Sequence, residues 1–433
     1  MPTTATLSTV NALTKELYQG KIREQLQSEV VGMKRIERSS DGVTSEVGGK
    51  YVTFPIRITR NAGIGYREED ETLQSPGTQG YARVNIGLKY GYGRIRLTGQ
   101  IMDLAESNPQ SFASSLDREM QGIKDDLAKD TNRIFYGDGT GAWTTATGVA
   151  TGQTIPVKDT SSFFGQIGAV LDVVTVAVAA ATVPHPIYDT AMSATNPDGD
   201  STLNAPIYGA GVPAVKNGAP LTLTGVDPVG NTITVAGTVP TIASGDFIVR
   251  QGNWGREPYG LAALVNTQKL FNVDPAIVPA WQSAINANAG TNRPLSEGLM
   301  IKMTDDVRVQ GGKTSLILTG LGVRRAYFAL LTQQRRYTNT KEFGGGLTGL
   351  AFNNGREIPV IEDVDAPKNT AFFLDESTFK VYRDKDWSWL DQDGGIWKWM
   401  QNKDAFEAVL KQYWQIGIDR RNANAILKDI TEG

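Results

Sequence analysis

Nucleotide chemistry is the first possibility that the residues raise, because Gly312, Lys313 and Thr314 match the end of a phosphate-binding loop. In such a loop, glycine amides and the N-terminus of the helix that follows hold the phosphates. The position of the opening glycine is occupied by Val307, and the run after Thr314 is apolar and typical of a strand. The sequence therefore argues against a nucleotide site.

Acid–base and metal chemistry have few candidate residues. The 433 residues include one histidine, His185, which stands between two prolines, and no cysteine. These counts exclude thiol catalysis, disulfides and multi-histidine or cysteine-ligated zinc sites within one chain. The position of His185 in a loop between two prolines predicts that it does not serve as the base of a triad. The run from Asn196 to Asp200 matches a calcium loop poorly, because its glycine comes too early and no glutamate closes it. The sequence predicts no cofactor, no metal and no enzymatic activity.

A carbohydrate-active or carbohydrate-binding β-rich protein is the alternative from another class. Carboxylates are numerous enough for a catalytic pair, and aromatic rings can stack on sugars. The candidates are Asp391, Asp393, Trp387, Trp389, Trp397 and Trp399. The tryptophans fit strand packing or a subunit contact equally well, and the aspartates fit a turn.

A charged cluster stands in a glycine-rich segment, residues 61–80. Its members are Arg67, Glu68, Glu69, Asp70 and Glu71. Two interpretations stay open: a solvated loop tip, or a charged contact with another subunit.

The segments on either side of this cluster alternate between apolar and polar residues, which predicts two β-strands. The first arm covers residues 51–59, and the return arm continues through Val84, Ile86, Tyr90 and Tyr92. At ~3.3 Å per residue the return arm spans on the order of 40 Å, longer than one core needs. We therefore expect a neighbouring copy to cover the apolar face, with Val84 and Ile86 as inter-subunit contacts beside the charged cluster.

One long helix follows the hairpin. Asn108 and Pro109 are typical of a helix start, and Gly137 to Gly139 supply the end. The apolar residues recur at helical spacing and form one stripe. They are Phe112, Leu116, Met120, Ile123, Leu127 and Ile134.

The rest of the chain divides by composition. Residues 151–258 carry few charges, and their short alternating runs with turns predict an antiparallel β unit, with strands near Leu221, Thr232 and Asp246. From Ser296, a candidate helix cap, helical and strand patterns alternate, which indicates an α+β segment.

This order of segments resembles the major capsid proteins of tailed bacteriophages with the Hong Kong 97-type fold. Residues 404–427 are similar to the closing strands of such proteins. The resemblance implies an α+β fold with an extended β-hairpin loop, a long spine helix, peripheral and axial domains, and an inserted all-β domain. The implied division is an N-terminal arm (1–50), the hairpin loop (51–100), the spine helix and start of the peripheral domain (101–150), the inserted β-rich domain (151–258), the peripheral domain (259–312), the axial domain (313–385) and return strands (386–433).

The resemblance also implies a function. Such a chain self-assembles into hexamers and pentamers, which form the icosahedral head shell around double-stranded DNA. It is assembled in the host cytoplasm and stays in the virion, and its implied partners are further copies of itself, a scaffolding protein, a portal and packaged DNA. The net charge of −3 agrees with DNA held without sequence-specific binding. A nanocompartment (encapsulin-like) shell around a protein cargo is the nearer alternative.

The first residues bear on assembly. A helical pattern from Leu7 to Val31 predicts an arm that docks on a neighbour, and residues 1–40 contain no long charged coiled coil. We therefore expect a separate scaffolding protein and an N-terminus that stays in the particle. The sequence contains no apolar run of transmembrane length, which predicts no membrane partner.

Overall fold

The computed structural model describes residues 31–39, 51–100, 109–176, 213–334, 350–353, 357–384, 387–391 and 396–433. Several predictions concern positions outside the described residues. These are the helical arm before residue 31, the cap Asn108, His185, the segment from Asn196 to Asp200, and Asp393.

A short hairpin opens the described body after the helix α1 (Gly32–Ser39). Strands β1 (Tyr51–Arg57) and β2 (Tyr81–Gly87) pair in antiparallel register, so the two predicted strands are confirmed. The ladder is shorter than predicted, because the chain leaves it after Gly87. The following strand, β3 (Lys89–Thr98), joins a different sheet. The return arm is therefore two strands, separated at Leu88.

The apolar face of this hairpin is covered by its own subunit. Val84 and Ile86 are fully buried, in the same core as Tyr382 and Ile416. The backbone N–H of Asn85, between them, donates to the carbonyl of Phe271 at 3.3 Å. The prediction that Val84 and Ile86 form inter-subunit contacts is therefore wrong. The alternating pattern identified a buried face, but it did not indicate which surface buries it.

The predicted long helix is present as α2 (Pro109–Tyr136), which has 28 residues and is some 40 Å long at ~1.5 Å per residue. Its middle turns pack on β3 at Gly93. A Cβ at Gly93 would lie 2.9 Å from Leu127 Cδ1 and 3.1 Å from Ile123 Cδ1, so the glycine permits the close approach. The last turn, with Ile134 and Phe135, is buried in the main core.

The predicted β unit is a seven-stranded antiparallel sheet with its own core. It begins at Ala142, before the predicted boundary at residue 151, and its last strand ends at Arg250. Its strands are β4 (Ala142–Thr145), β5 (Thr154–Pro156), β6 (Val170–Val176), β7 (Pro213–Val215), β8 (Leu221–Asp227), β9 (Thr232–Ala236) and β10 (Phe247–Arg250). Their order is β4-β10-β6-β8-β9-β5, with β7 beside β6.

The α+β segment is built around a six-stranded mixed sheet. Ser296 caps its first long helix as predicted, since its side chain accepts a hydrogen bond from the N–H of Leu299. The elements of this region are the short helix α3 (Leu261–Leu264), β11 (Ala284–Asn286), α4 (Glu297–Val309), β12 (Leu316–Thr319), α5 (Leu321–Gln334), β13 (Leu350–Asn353), β14 (Glu357–Glu362), β15 (Ala371–Leu374) and, near the chain end, β20 (Ala425–Leu427). The strand order is β11-β20-β15-β12-β14-β13, so two strands from outside residues 313–385 complete this sheet.

A last sheet joins the hairpin region to the end of the chain. It is organised by β19 (Ala405–Ile418), a strand of 14 residues. Strand β19 pairs with β3, β16 (Phe379–Arg383), β17 (Ser388–Trp389) and β18 (Lys398–Trp399). Within the described part of the chain, no helix is both long enough and apolar enough to span a membrane.

Candidate assembly surfaces

The hairpin loop, residues 61–80, is a paired flap that continues beyond the ladder of β1 and β2. Its base is closed by the N–H of Ile58, which donates to the carbonyl of Gly80 at 2.9 Å. Further out, a Cβ at Gly63 would lie 2.8 Å from the backbone nitrogen of Gly77. The two arms of the loop therefore run side by side. Their glycines permit this contact because a side chain there would separate them.

The charged cluster occupies the tip of this loop. Arg67 binds Glu71 in a local ion pair of 2.7 Å, and Glu71 also accepts the N–H of Glu68 at 3.2 Å. Asp70 takes the left-handed conformation, with a φ of 65°. The side chains of Glu68, Glu69 and Asp70 point to the surface as exposed carboxylates. The tip therefore presents negative charge, most of which the single arginine does not balance.

Large apolar side chains stand on the same loop. Ile64 is 75% exposed, Leu73 is 82% exposed and Tyr66 is fully exposed. Single exposed apolar residues are common on protein surfaces, but a group of them on a projecting loop marks an interaction site. The loop thus combines negative charge with apolar surface that one copy of the chain leaves in solvent.

A second exposed surface lies on β3 and β19, and we call it the Tyr–Arg face. In β3, every second side chain points away from α2 and is exposed. The register places Tyr90 opposite Tyr413 and Arg96 opposite Glu407. The β3 and β19 residues of this face are Tyr90, Tyr92, Arg94, Arg96, Glu407, Val409, Lys411 and Tyr413, and Lys398 of β18 lies beside Glu407.

Contacts within the Tyr–Arg face hold its side chains in place. The rings of Tyr90 and Tyr413 meet edge to face, with centroids 4.9 Å apart, and Lys411 Nζ lies 5.7 Å from the Tyr413 ring centroid. Arg94 Nε is 2.9 Å from Glu407 Oε1. A hydrogen bond with Tyr413 raises the pKa of Tyr92, and burial adds to this effect. The face is an ordered surface rich in cations and aromatic rings.

A groove continues from this face. Its volume is about 390 Å³. Glu407 and Val409 belong both to the groove and to the Tyr–Arg face, and the apolar side chains of Leu390, Ile396 and Trp399 also line the groove. Trp399 packs edge to face on Phe406, at 5.1 Å between centroids, which is the strand-packing interpretation of the tryptophan group. The groove offers apolar contacts next to positive charge.

A buried carboxylate joins three parts of the subunit. Asp363, at the end of β14, accepts hydrogen bonds from Asn132 and Tyr136 of α2 and from the N–H of Gly32 in α1. Asn132 also donates to Asp365 at 2.7 Å. Burial raises the pKa of Asp365, and the neighbouring Asp363 adds to that shift. Burial likewise raises the pKa of Tyr136, which therefore stays protonated and can donate.

An ionic network joins α2 to the seven-stranded sheet. Arg133 binds Asp130 at 2.8 Å and Glu257 at 2.6 Å, and Arg250 of β10 lies 3.6 Å from Asp130. Burial raises the pKa of Glu257, and the attraction of Arg133 only partly offsets this effect. Burial also opposes the charged form of Asp130. The two arginines outweigh that opposition, so the pKa of Asp130 is lowered.

A buried arginine fixes the chain end. Arg421 is fully buried, and its guanidinium donates to backbone carbonyls of the segment that contains α3. The acceptors are the carbonyl oxygens of Ala263, Leu264, Gln268 and Trp281, at 2.6 to 3.1 Å. These contacts are structural. Within the described residues, no group of histidine, aspartate or glutamate side chains is arranged to hold a metal ion.

The structure places the predicted site residues in two groups. Arg67 and Glu68 to Glu71 lie together at an exposed tip, whereas Val84 and Ile86 lie in the core. Sequence reasoning missed the Tyr–Arg face. Its signal was present in the alternating Tyr90, Tyr92, Arg94 and Arg96, but the partner strand is far along the chain.

Comparison with known proteins found one family model and several solved structures that are similar to the chain. Residues 242–430 match the family model described as SU10 major capsid protein. No curated protein matches the chain. A chain of the cyanophage A-1(L) capsid asymmetric unit is similar, with a TM-score of 0.57 and 13% identity, over 99% of this chain and 100% of that chain. This likeness shows a shared fold.

Two further structures are similar at lower TM-scores. The capsid of the native GTA particle gives 0.48, with 11% identity over 100% of both chains. The SrpI encapsulin complex from Synechococcus elongatus PCC 7942 gives 0.44, with 10% identity over 99% of this chain and 97% of that chain.

Proposed function

We propose that the chain is a tailed-bacteriophage major capsid protein with the Hong Kong 97-type fold, and that its hairpin loop is the element that links one copy to the next in the shell. The shell is then built from hexamers and pentamers and closes as an icosahedral head. Each loop lies on a neighbouring subunit. This contact buries the apolar residues of the loop, which the loop's own subunit leaves exposed.

The exposed loop is the observation that supports this proposal. Residues 61–80 start beyond the ladder of β1 and β2, and at ~3.3 Å per residue each arm reaches at most on the order of 35 Å. The loop carries Ile64, Tyr66 and Leu73 in solvent. A contact between a loop and a different surface of the next copy is heterologous, and such contacts generate closed rings when the rotation allows. Hexamers and pentamers are rings of this kind.

The remaining parts of the proposal concern partners. Assembly in the host cytoplasm uses a separate scaffolding protein and a portal, and the finished head encloses double-stranded DNA without sequence-specific contacts. The net charge of −3 supports this last point, because tight DNA binding over a whole surface needs a strongly basic protein. The protein has no catalytic role, uses no cofactor and has no membrane partner.

Electron microscopy of the purified protein tests the proposal. The wild-type chain, expressed with its scaffolding partner, should give closed shells or capsomers. A variant in which a two-residue Asn-Gly turn replaces residues 61–80 should give folded, soluble subunits without shells, because β1 and β2 keep their ladder. His185→Ala is the control and should assemble normally. Normal shells from the loop deletion would refute the proposed role of the loop.

A further inference from the structure

The hairpin of β1 and β2 lies on the body of the subunit mainly through apolar side chains. Strand β2 pairs with β1 along its ladder, and Ala82, Val84 and Ile86 are buried in the main core. Hydrophobic burial is non-directional, so it favours contact with the core more than one particular direction of the hairpin. Polar contacts have a specific geometry. Two of them join this region to the same segment, residues 255–273.

The first polar contact comes from Lys89, which directly follows the point at which the chain leaves the hairpin at Leu88. Its ammonium donates to the carbonyl of Gly255 at 3.1 Å and lies 5.6 Å from the ring centroid of Tyr259. Lys89 is half-buried, and burial lowers its pKa. Among the described residues, Lys89 forms no ion pair with a carboxylate. Removing an ammonium from water without an opposite charge costs free energy, so this lysine is a poor choice for stability alone.

The second polar contact comes from a strained turn. Leu270 and Val273 bridge across Phe271 and Asn272, which both take the left-handed conformation, with φ of 50° and 74°. Asparagine tolerates this conformation, whereas a bulky residue such as phenylalanine rarely adopts it. Strain of this kind persists only where surrounding contacts hold it, and it often marks a position with a specific task. Here the carbonyl of Phe271 accepts the N–H of Asn85, in the middle of β2, at 3.3 Å.

The two contacts are connected to each other and to the body. The rings of Tyr259 and Phe271 pack together, with centroids 5.3 Å apart. The N–H of Tyr259 donates to Gln415 Oε1 of β19 at 2.7 Å. Gly255 donates its own N–H to the carbonyl of Thr140, shortly after the end of α2, at 2.7 Å. The segment that holds the hairpin is therefore itself fixed to β19 and to the chain that follows α2.

We propose that Lys89, the ring of Tyr259 and the turn at Phe271 form a brace that fixes the direction in which the hairpin leaves the body. Lys89 is a positioning residue in this brace, because it acts through the backbone of Gly255. The inference rests on the proposed function, since a loop that links two copies must point towards its neighbour. A direction that is set before contact reduces the entropy lost on association, so the brace favours assembly.

Distances within dissociated subunits test the brace without any assembly. The chain has no cysteine, so Arg57→Cys at the end of β1 and Asp305→Cys on α4 place spin labels at two exposed positions. We expect one narrow distribution of distances between these labels. Lys89→Met keeps the length of the side chain and removes the ammonium. It should broaden the distribution at least about twofold, because the hairpin then samples directions that the contact with Gly255 excludes.

Tyr259→Leu is the second variant and should broaden the distribution as Lys89→Met does, since it removes the ring from the same brace. The two changes together should broaden it little further, because both act through one contact. Lys89→Arg, which keeps a donor and a cation, should restore the narrow distribution. Lys124→Met, at an exposed position of α2, is the matched control and should leave the distribution narrow. Circular dichroism shows that each variant is folded.

Shell formation connects the brace with assembly. Folded Lys89→Met subunits should give closed shells at a yield lowered at least about threefold, because the direction of the loop is no longer set in advance. A lower unfolding midpoint with a narrow distance distribution in both brace variants would show a role in stability alone and would overturn the brace. A broad distribution with normal shell yield would overturn its role in assembly. If the wild-type chain forms no shells, the proposed function fails, while the distances in separated subunits still decide whether the brace exists.

Discussion

Gly32 donates its backbone N–H to the carboxylate of Asp363 at 2.9 Å, although the two residues are 331 positions apart. A Cβ at Gly32 would clash with the hydroxyl of Tyr136, which donates to the same carboxylate. The contact therefore needs both the glycine and the acid. It fixes α1 and the end of α2 to the six-stranded sheet, so one buried carboxylate sets the positions of three elements in the subunit.

Removing this carboxylate should destabilise the subunit strongly. Asp363→Ala leaves the N–H of Gly32 and the hydroxyl of Tyr136 without their acceptor in a buried site, and the amide of Asn132 keeps only Asp365. We expect the free energy of unfolding to fall by about 3 kcal/mol or more, because each unsatisfied buried donor is costly. Denaturant unfolding of dissociated subunits measures this loss. Asp305→Ala, on the exposed side of α4, is the control and should change stability by less than about 0.5 kcal/mol.

Asp365, beside this junction, should make stability depend on pH. Burial and the nearby Asp363 raise its pKa above the ordinary value of 3.8. The folded state therefore holds its proton more tightly than the unfolded state, so the contribution of Asp365 to stability falls as pH rises from about 3.8 through the raised pKa. Asp365→Asn should remove this part of the pH dependence while Asn132 keeps an acceptor. Identical pH profiles of unfolding for both proteins would contradict the assignment.

Much of the fold follows from local patterns. The helix from Pro109 to Tyr136 was predictable because its cap, stripe and terminal glycine all agree with one another. The strands near Leu221 and Thr232 were predictable because alternation and turn residues mark both ends. Each of these signals lies within a short stretch of the chain, so the local sequence is enough to predict the element.

The predictions that failed concern residues whose partners are distant in the sequence. Val84 and Ile86 alternate as a buried strand should, but the sequence does not say that Tyr382 and Ile416 cover them. The Tyr–Arg face was not predicted for the same reason, because the tyrosines of β3 continue the alternating pattern of the hairpin. Pairing between Tyr90 and Tyr413 joins segments that no local pattern connects. The charged tip was found because all of it lies in one short run.

Replacing the buried arginine near the chain end should destabilise the subunit, even when the new residue is lysine. Arg421 satisfies four carbonyl oxygens with a planar guanidinium, whereas an ammonium has three donors on a flexible stem. We expect Arg421→Lys to lower the free energy of unfolding by about 2 to 4 kcal/mol, because carbonyls and charge remain buried with fewer bonds. Arg420→Lys is the matched control, since the neighbouring Arg420 makes one exposed contact to Gly311. Thermal unfolding of both variants should show the large effect only at Arg421.

The last prediction concerns how close α2 can approach β3. Gly93→Ala places a methyl group 2.9 Å from Leu127 Cδ1 and 3.1 Å from Ile123 Cδ1, so the helix or both side chains must move. We expect a loss of about 1 to 3 kcal/mol in stability, as for other overpacked contacts. Gly122→Ala makes the same chemical change in α2, where nothing beyond the backbone of the helix itself lies within 4 Å of the new methyl group. That variant should gain about 0.5 to 1 kcal/mol from higher helix propensity. Equal effects of the two substitutions in denaturant unfolding would show that α2 does not pack on Gly93 as the structure places it.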